Sequence, residues 1–333
     1  MMAGLGFWPE IDGSQGCRSS APIDQVTAIV VTHNSGRHLA ELAQDLASGS
    51  AVPIRMLAVD NASVDDTVAR ARAAAFEVLA TGSNHGFGAG CNAGLRAAST
   101  EFVLFCNPDV RPSHSALERL LAALRSTPTA AVAGPAFGGP VQRRRFSRVT
   151  ANLVGFLPRR LQSRLPRLKQ DLPVDEHEAQ VVVDYVEGAF ILCRANALRL
   201  VGGFDERFFL YCEEEDLSRR LGELGWQTLL VPGATVAHEQ SASSEGLDGA
   251  TMAPFRVHSL YWYYRRYHSR LYAELARCMI ATLVMLDRGY RALVHRPHAY
   301  GPGTVLAPFR DIESVHRHHE RSTERLRRES SLS

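Results

Sequence analysis

The chain has 333 residues, of which 45% are hydrophobic and 22% charged, and its formal net charge is +2. This composition is typical of a globular protein with a packed core, and it excludes disordered, collagen-like and small disulfide-stapled classes. The length accommodates one large domain with an appendage, or two domains. Because nucleic-acid-binding proteins usually carry a strong positive field, we expect no nucleic acid among the partners.

The cysteines and the N-terminal segment narrow the class further. Six cysteines lie far apart without a C-x-x-C pair, which favours reduced thiols and a cytoplasmic location over a zinc or redox site. Residues 1–25 lack a basic stretch followed by an apolar one, so we expect a flexible tail. The sequence contains no uninterrupted run of about 18 to 20 apolar residues, so it predicts no membrane-spanning helix.

From Val26 onward, short apolar runs alternate with helical patterns. The predicted strands are Val26–Thr32, Ile54–Asp60, Phe76–Ala80, Phe102–Cys106, Val181–Tyr185, Ala189–Leu192 and Gln227–Val231. The predicted helices are Arg37–Ala47, Asp65–Ala75, a stretch after Gly90 that ends at Ala98, and Glu214–Leu224. This alternation predicts an α/β fold with a mostly parallel, Rossmann-like central sheet and helices on both faces.

Polar residues follow three of the predicted strands at the point where each ends. They are Thr32-His33-Asn34, Asp60-Asn61-Ala62-Ser63 and Asn107-Pro108-Asp109. Ligands of such sheets bind outside the carboxyl ends of the strands, so we expect these residues on one rim of a ligand crevice.

Four consecutive carboxylates, Glu213 to Asp216, follow the apolar segment Phe208–Tyr211. Their mutual repulsion raises at least one pKa unless a cation lies nearby. One interpretation is a general base in a site that also holds a metal-bound phosphate, with Asp109 as a metal ligand and His238 as a third ligand. The alternatives are a helix N-terminus stabilised by its acidic first turn, a capping Asp109 and a structural His238.

Several phosphate-binding and catalytic motifs are absent from the chain. The glycines at Gly86, Gly88 and Gly90 do not fit G-x-G-x-x-G, and no Walker A sequence occurs. No G-x-S-x-G elbow occurs either, which removes the simplest hydrolase interpretation.

Two regions are rich in arginine. Residues 140–170 contain nine basic residues and no acidic one, which predicts either a mobile solvated segment or a contact with phosphate. Residues 255–333 contain 14 Arg against 7 Asp and Glu, with the aromatic run Tyr261–Tyr267 and a predicted helix at Leu271–Leu286. This region predicts either a segment in the membrane interface or a helical pair packed on the domain.

An ordered set of motifs over about residues 26 to 240 resembles glycosyltransferase family 2, with its GT-A fold, and within it the bacterial rhamnosyltransferase-like branch. The motifs are Val30–Ser35, Val59–Ser63, Asn84–Gly88 with Asn92, Asn107–Asp109, Glu187–Ala189, Gly202–Glu206 and Phe209–Leu217. Each motif is weak alone, and their order makes the resemblance specific.

The resemblance implies roles for individual residues. Those around the nucleotide and the donor sugar are Thr32, His33, Asn34, Asp60, Asn61, Ser63, Asn84, Gly86, Phe87, Asn92 and Asn107. Asp109 occupies the position of the D-x-D metal ligand, and His33 stands where Tyr is common. Glu214 matches the catalytic base, with Glu213 and Asp216 as alternatives.

The implied activity is an inverting transfer of a sugar from a nucleoside-diphosphate donor, dTDP-rhamnose favoured, to a lipid-linked or cell-envelope glycan acceptor. The implied cofactor is Mg²⁺ or Mn²⁺, and the enzyme would lie peripherally on the inner face of the plasma membrane. The alternatives are a nucleotidyltransferase, another sugar transferase, or a non-catalytic membrane-surface scaffold.

The expected organisation assigns each part of the chain a role. The segments are a flexible tail at 1–25, the GT-A domain at 26–250 with a basic insertion at about 140–172, a helical and interfacial extension at 251–312, and a polar or disordered tail at 313–333.

Overall fold

The computed structural model describes residues 26–151, 171–238 and 249–293. The expectations for the tails at 1–25 and 313–333, for residues 152–170 of the basic insertion and for residues 294–312 of the extension lie outside the described residues.

A nine-stranded sheet forms the centre of the fold. Its strands are β1 (Val26–Thr32), β2 (Ile54–Asp60), β3 (Glu77–Ala80), β4 (Phe102–Cys106), β5 (Val110–Pro112), β6 (Ala130–Phe137), β9 (Val181–Val183), β10 (Phe190–Arg194) and β11 (Gln227–His238). They are ordered β3-β2-β1-β4-β10-β6-β11-β5, and β9 pairs with β11. The strands β1, β2, β3, β4, β6 and β11 run in one direction, and β5, β9 and β10 run against them. The prediction of a mostly parallel sheet is therefore confirmed.

Helices cover both faces of this sheet, as predicted. They are α1 (Leu39–Ser48), α2 (Thr67–Ala73), α3 (Phe87–Ala97), α4 (Ala116–Ser126), α5 (Ala195–Leu200) and α6 (Glu213–Glu223). Successive strand residues point to opposite faces. Accordingly, Ala28 and Val30 pack with α1, α2 and α4, whereas Ile29 packs with α3, α5 and α6.

Helix α3 begins four residues earlier than the sequence predicts, inside the glycine-rich segment. A Cβ atom at Gly94 would lie 2.3 Å from the Ile29 side chain, and one at Gly90 would lie 2.7 Å from that of Val31. Glycine therefore permits α3 to lie directly on β1. This close approach outweighs the low helix propensity of glycine.

The N-terminal flank of the basic insertion is ordered, which corrects the interpretation of the whole segment as mobile. Strand β7 (Gln142–Arg144) pairs with β8 (Asp171–Pro173) in a separate two-stranded sheet. Main-chain and side-chain bonds then attach residues 144–149 to the rest of the domain. Within the described residues, this flank is bonded to the domain and forms part of its structure.

Two C-terminal helices, α7 (Gly249–Tyr267) and α8 (Arg270–Leu293), pack together and against the domain. Tyr263 and Tyr264 of α7 are completely buried in this contact. This packing agrees with the second of the two interpretations of the region. In the described part of the chain, no helix is both long enough and apolar enough to cross a membrane.

Candidate active site

Four parallel strands end at one edge of the sheet and bring distant residues together. Thr32 at the end of β1 stands beside Asp60 at the end of β2, and β4 ends on the other side of β1. His238 ends β11, which runs in the same direction, and it pairs with Val110 of β5. The predicted rim is therefore formed, and β11 adds His238 to it.

Asp60 organises the first part of the rim. It is buried, and its carboxylate accepts hydrogen bonds from Thr32 Oγ1 at 3.3 Å and from the Ser63 main-chain N–H at 3.1 Å. Both side-chain oxygens are thus held in fixed positions. The wall of the proposed nucleotide pocket is preformed.

His33 and Asn34 form a bridge over the same edge. His33 Nδ1 lies 2.8 Å from the Asn61 carbonyl oxygen, and Asn34 Nδ2 lies 3.2 Å from His33 Nε2. Asn34 adopts a positive φ of 53° and accepts a bond from the Val64 N–H. The imidazole of His33 is exposed, so a flat ring is presented to the solvent side of the crevice.

The Asn84–Phe87 loop is fixed against the segment before the acidic cluster. Asn61 Nδ2 donates to the Gly86 carbonyl at 2.9 Å, and the Phe87 N–H donates to the Phe209 carbonyl at 3.0 Å. Gly86 has φ 93°, and a Cβ there would lie 2.3 Å from the Phe209 oxygen. Only glycine fits at this contact, which connects the predicted donor loop to the segment before the acidic cluster.

Asn92 does not occupy the position expected of a donor ligand. Its side chain is buried, and Nδ2 donates to the Phe204 carbonyl and to Glu206, both at 2.9 Å. Its Oδ1 accepts from the Phe204 N–H at 2.8 Å. Since these bonds use both ends of the amide, Asn92 anchors the Gly202–Glu206 loop instead of contacting the donor.

Asp109 and His238 form the pair predicted for the metal. His238 Nε2 lies 3.4 Å from Asp109 Oδ1, and Asp109 is almost completely buried. The Phe137 ring packs at 5.9 Å from the imidazole, and the Asn107 N–H is bonded to the Ala189 carbonyl. Among the described residues, no group of three or more His, Cys, Asp or Glu could hold a metal ion. The protein therefore offers two ligands here.

The acidic cluster starts helix α6 after an unusual turn. Tyr211 and Cys212 adopt φ values of 72° and 68°, in the left-handed region that non-glycine residues seldom occupy. Two successive residues of this kind are strained, and such strain is concentrated at functional sites. The turn directs the four carboxylates of the first helical turn toward different surroundings.

Asp216 cannot serve as the base, which corrects its place among the alternatives. The side chain is fully buried and accepts hydrogen bonds from Arg220 Nε at 2.7 Å and Tyr267 Oη at 2.6 Å. Arg266 Nε also lies 3.0 Å from Asp216 Oδ1. Asp216 therefore joins α6 to α7.

Glu215 is also committed to the structure. It accepts a short bond from the Ser147 N–H and a 2.8 Å bond from Ser147 Oγ. Burial raises the pKa of Glu215 to about 7, although the bonds from Ser147 and from Tyr263 oppose the rise. The Glu215 carboxyl therefore attaches the basic insertion to helix α6.

Glu213 and Glu214 remain, and their surroundings differ. Glu213 is 5% exposed, lies against the first turn of α3 at Gly88, and its Oε2 has no hydrogen-bond partner in the described part of the chain. Burial and the negative charge of Glu214 raise the pKa of Glu213 well above its usual range. Glu213 is therefore a weaker acid than an ordinary glutamate.

Glu214 is half-buried and reaches the Glu187–Ala189 loop. Burial raises the pKa of Glu214, while main-chain bonds, including one from the Gly188 N–H, and the positive charge of Arg144 oppose the rise. It is the one carboxylate of the four that is both accessible and free of ion-pair partners within the described residues. Glu214 thus fits a general base.

Two residues near Glu214 are not among the sequence-predicted site residues. Glu187 precedes Gly188 and belongs to the Glu187–Ala189 motif, so the sequence itself could have identified Glu187 as a site residue. Arg144 lies within a run of similar arginines, and nothing in the sequence distinguishes it. Glu187, Arg144 and His238 line one cavity of about 250 Å³.

Several known proteins resemble this chain in sequence. The model of the family "Glycosyl transferase family 2" matches residues 27–183. N-acetylglucosaminyl-diphospho-decaprenol L-rhamnosyltransferase of Mycobacterium tuberculosis is 30% identical over 269 residues, which cover 74% of this chain and 86% of that protein. Rhamnosyltransferase WbbL of Escherichia coli is 28% identical over 47% of this chain and 62% of its own length.

A solved structure shares the fold. The mannosyltransferase PcManGT of Pyrobaculum calidifontis, determined with GDP-Man and Mn²⁺, has a TM-score of 0.51 at 16% identity. The alignment covers 85% of this chain and 84% of that one.

Proposed function

Because the chain belongs to glycosyltransferase family 2 and has the GT-A fold, we propose that it transfers L-rhamnose from a nucleoside-diphosphate donor, dTDP-rhamnose, to a hydroxyl of a lipid-linked or cell-envelope glycan acceptor. The observation that supports this proposal is the shared cavity, which is lined by His238 of the Asp109–His238 pair and by Glu187 of the loop that contacts Glu214. Family membership favours an enzyme over the scaffold alternative.

The proposed reaction is a single in-line displacement. Glu214 accepts the proton of the acceptor hydroxyl as its oxygen attacks the anomeric carbon. The bond between that carbon and the diphosphate oxygen breaks, and the nucleoside diphosphate leaves with the electron pair. Inversion of the anomeric configuration follows from one displacement, and it is typical of this family.

The charge arrangement supports the choice of Glu214 as this base. Burial and the charge of Glu214 disfavour ionisation of Glu213, whereas Glu214 is the more accessible of the two carboxylates. The elevated pKa of Glu214 makes it a better proton acceptor than an ordinary glutamate. Positioned bases of this kind contribute roughly 10²- to 10⁴-fold to rates.

Asp109 and His238 fit a divalent cation. Asp109 Oδ1 and His238 Nε2 lie 3.4 Å apart, so the two side chains would hold one cation between them. Carboxylate and imidazole suit Mn²⁺, and carboxylate suits Mg²⁺. A bound cation supplies positive charge against the diphosphate. The fold relative from Pyrobaculum calidifontis was solved with Mn²⁺, which supports this assignment.

The donor and acceptor follow from the named relatives. Two of them are rhamnosyltransferases, and the Mycobacterium tuberculosis relative is named for a diphospho-decaprenol acceptor. A polyprenyl-diphosphate acceptor resides in a membrane, so the enzyme must work at a bilayer surface, on the cytoplasmic side where nucleotide sugars are made.

Helix α8 presents a face suited to that surface. Leu271, Leu275, Met285 and Leu286 are 53 to 68% exposed, and with Cys278 and Thr282 they occupy one side of the helix without a charged residue. The opposite side packs on α7. The arginine excess of residues 255–333 complements anionic lipid, so we assign this face to an anionic bilayer.

The product tests the proposed reaction. NMR of the glycosylated acceptor is expected to show rhamnose with the anomeric configuration opposite to that of the donor. Retained configuration would contradict the single displacement, and transfer of nucleotide instead of sugar would support the nucleotidyltransferase alternative.

A further inference from the structure

The main chain of the basic insertion is fixed where it passes Asp184 and Tyr185, just before the Glu187–Ala189 loop. The Asp184 N–H donates to the Arg144 carbonyl at 3.3 Å, and Arg144 forms a bridge with Tyr185. The Phe146 N–H donates to Asp184 Oδ2 at 2.9 Å. The next residue, Ser147, donates a hydrogen bond to Glu215 of helix α6. The insertion therefore connects the strand before the Glu187 loop to the start of α6.

Two carboxylates fix the direction of the Arg144 side chain. Its Nη1 donates to Asp171 Oδ2 at 3.1 Å, and its Nη2 donates to Glu187 Oε1 at a shorter distance. The guanidinium is 33% exposed, so it is only partly screened by solvent. Charge-assisted bonds of this type specify orientation as well as energy.

The next link runs from Glu187 to the base. Glu187 directly precedes Gly188, whose N–H donates to the Glu214 carboxylate. A Cβ at Gly188 would lie 3.7 Å from the Glu214 side chain, so the two residues are in direct contact. The position of Glu187 therefore decides whether the Gly188 N–H points at the base.

We propose that Arg144 is a positioning residue for Glu214: its bonds to two carboxylates hold the Glu187–Gly188 loop against the base. This inference rests on the proposed function, in which Glu214 removes the acceptor proton.

The charges around Glu214 are consistent with this role. Arg144 is a cation that lowers the pKa of Glu214 against the effect of burial. Among the described residues, the other titratable groups that interact electrostatically with Glu214 are Glu213, Glu215, Tyr185, Tyr211 and Cys212. None of these five carries positive charge in either protonation state. Removal of the Arg144 charge therefore raises the pKa of Glu214 and moves its ionisation to higher pH.

The test compares pH profiles of kcat/KM for the full-length wild type, Arg144→Gln, Arg144→Lys and a matched control, Arg143→Gln. Arg143 is the exposed neighbour on the same strand. For Arg144→Gln, the acid limb is expected to move to higher pH, with the ratio of kcat/KM at pH 8 to that at pH 6 rising roughly twofold or more. Arg144→Lys restores part of the shift, and Arg143→Gln has the wild-type profile.

The outcomes separate the two levels of the proposal. A lower rate for Arg144→Gln with an unmoved acid limb, at an unchanged Tm, would mean that Arg144 serves only the structure, and it would overturn this inference. An Arg144→Gln variant that fails to fold leaves Arg144→Lys to decide, because a wild-type acid limb with lost activity there would overturn the inference as well. Full activity of Glu214→Gln would instead overturn the proposed function.

Discussion

His238 Nε2 and Asp109 Oδ1 lie 3.4 Å apart, joined across the antiparallel pair of β5 and β11. The two residues reach this position from distant parts of the chain because β11 ends, and β5 begins, on the edge where β1, β2 and β4 end. In the proposed function, this pair would hold the cation that supplies positive charge against the diphosphate.

We therefore expect Asp109→Ala and His238→Ala to weaken metal-dependent binding of nucleoside diphosphate. Each is expected to lose at least the roughly tenfold affinity that even outer-shell substitutions cost. Calorimetric titration of dTDP with Mn²⁺ measures the effect, and exposed His177→Ala is the control. Undiminished metal-dependent binding by Asp109→Ala would refute the assignment.

Substitution separates the two remaining candidates for the base, Glu213 and Glu214. Glu214→Gln is expected to lower turnover by roughly 10²- to 10⁴-fold with donor affinity unchanged, because it removes the proton acceptor and keeps the shape. Glu213→Gln is the matched control, since it makes the same substitution at the buried neighbour. Single-turnover kinetics with a donor titration gives both quantities. The reverse pattern would transfer the role to Glu213.

Glu215 makes stability depend on pH. The pKa of Glu215 is raised by folding from an ordinary 4.5 to about 7, so the folded state holds the proton more tightly than the unfolded state. Its contribution to stability is present below pH 4.5 and is lost as the pH rises through 7. Glu215→Gln cannot titrate, so we expect a smaller fall in Tm between pH 5 and pH 8 than in the wild type. Parallel Tm curves for the two proteins would be inconsistent with this environment.

The exposed face of α8 predicts membrane attachment. The double variant Leu271→Gln, Leu275→Gln is expected to lose sedimentation with anionic phospholipid vesicles, whereas Leu200→Gln, an equally exposed leucine on α5, retains it. Point substitutions are preferable to truncation after Ser259, because truncation would remove the buried Tyr263 and Tyr264. Unchanged vesicle binding would rule out this face, and loss of self-association instead would assign it to a second copy.

The strands that form the rim were predictable from the sequence. Long apolar runs such as Phe102–Cys106 and Val26–Thr32 have the β-branched and aromatic residues that favour strands, and the polar residues after them lie where parallel topology places them. By contrast, β6 was not predicted, because half of its residues are alanine and it contains Gly134 and Pro135. Its strand conformation depends on pairing with β10 and β11, which are distant in the sequence.

The acidic cluster shows the same limit at the level of the site. Four adjacent carboxylates look equivalent in the sequence, and the resemblance favoured Glu214. What separates them is the set of tertiary partners: Asp216 is bonded to Tyr267, 51 positions away, and Glu215 to Ser147, 68 positions away. These contacts depend on the docking of α7 and of the basic insertion, neither of which has a local signal.

Metal-dependent sugar transfer by this chain is tested most directly by the release of nucleoside diphosphate from UDP-, GDP- and dTDP-sugars. The assay uses the wild-type protein and a polyprenyl-diphosphate glycan acceptor, and it is run with Mn²⁺ or Mg²⁺ and with EDTA. We predict turnover of dTDP-rhamnose that EDTA abolishes. Absence of turnover with every donor, together with no shift in Tm on addition of nucleoside diphosphate and Mn²⁺, would contradict the account.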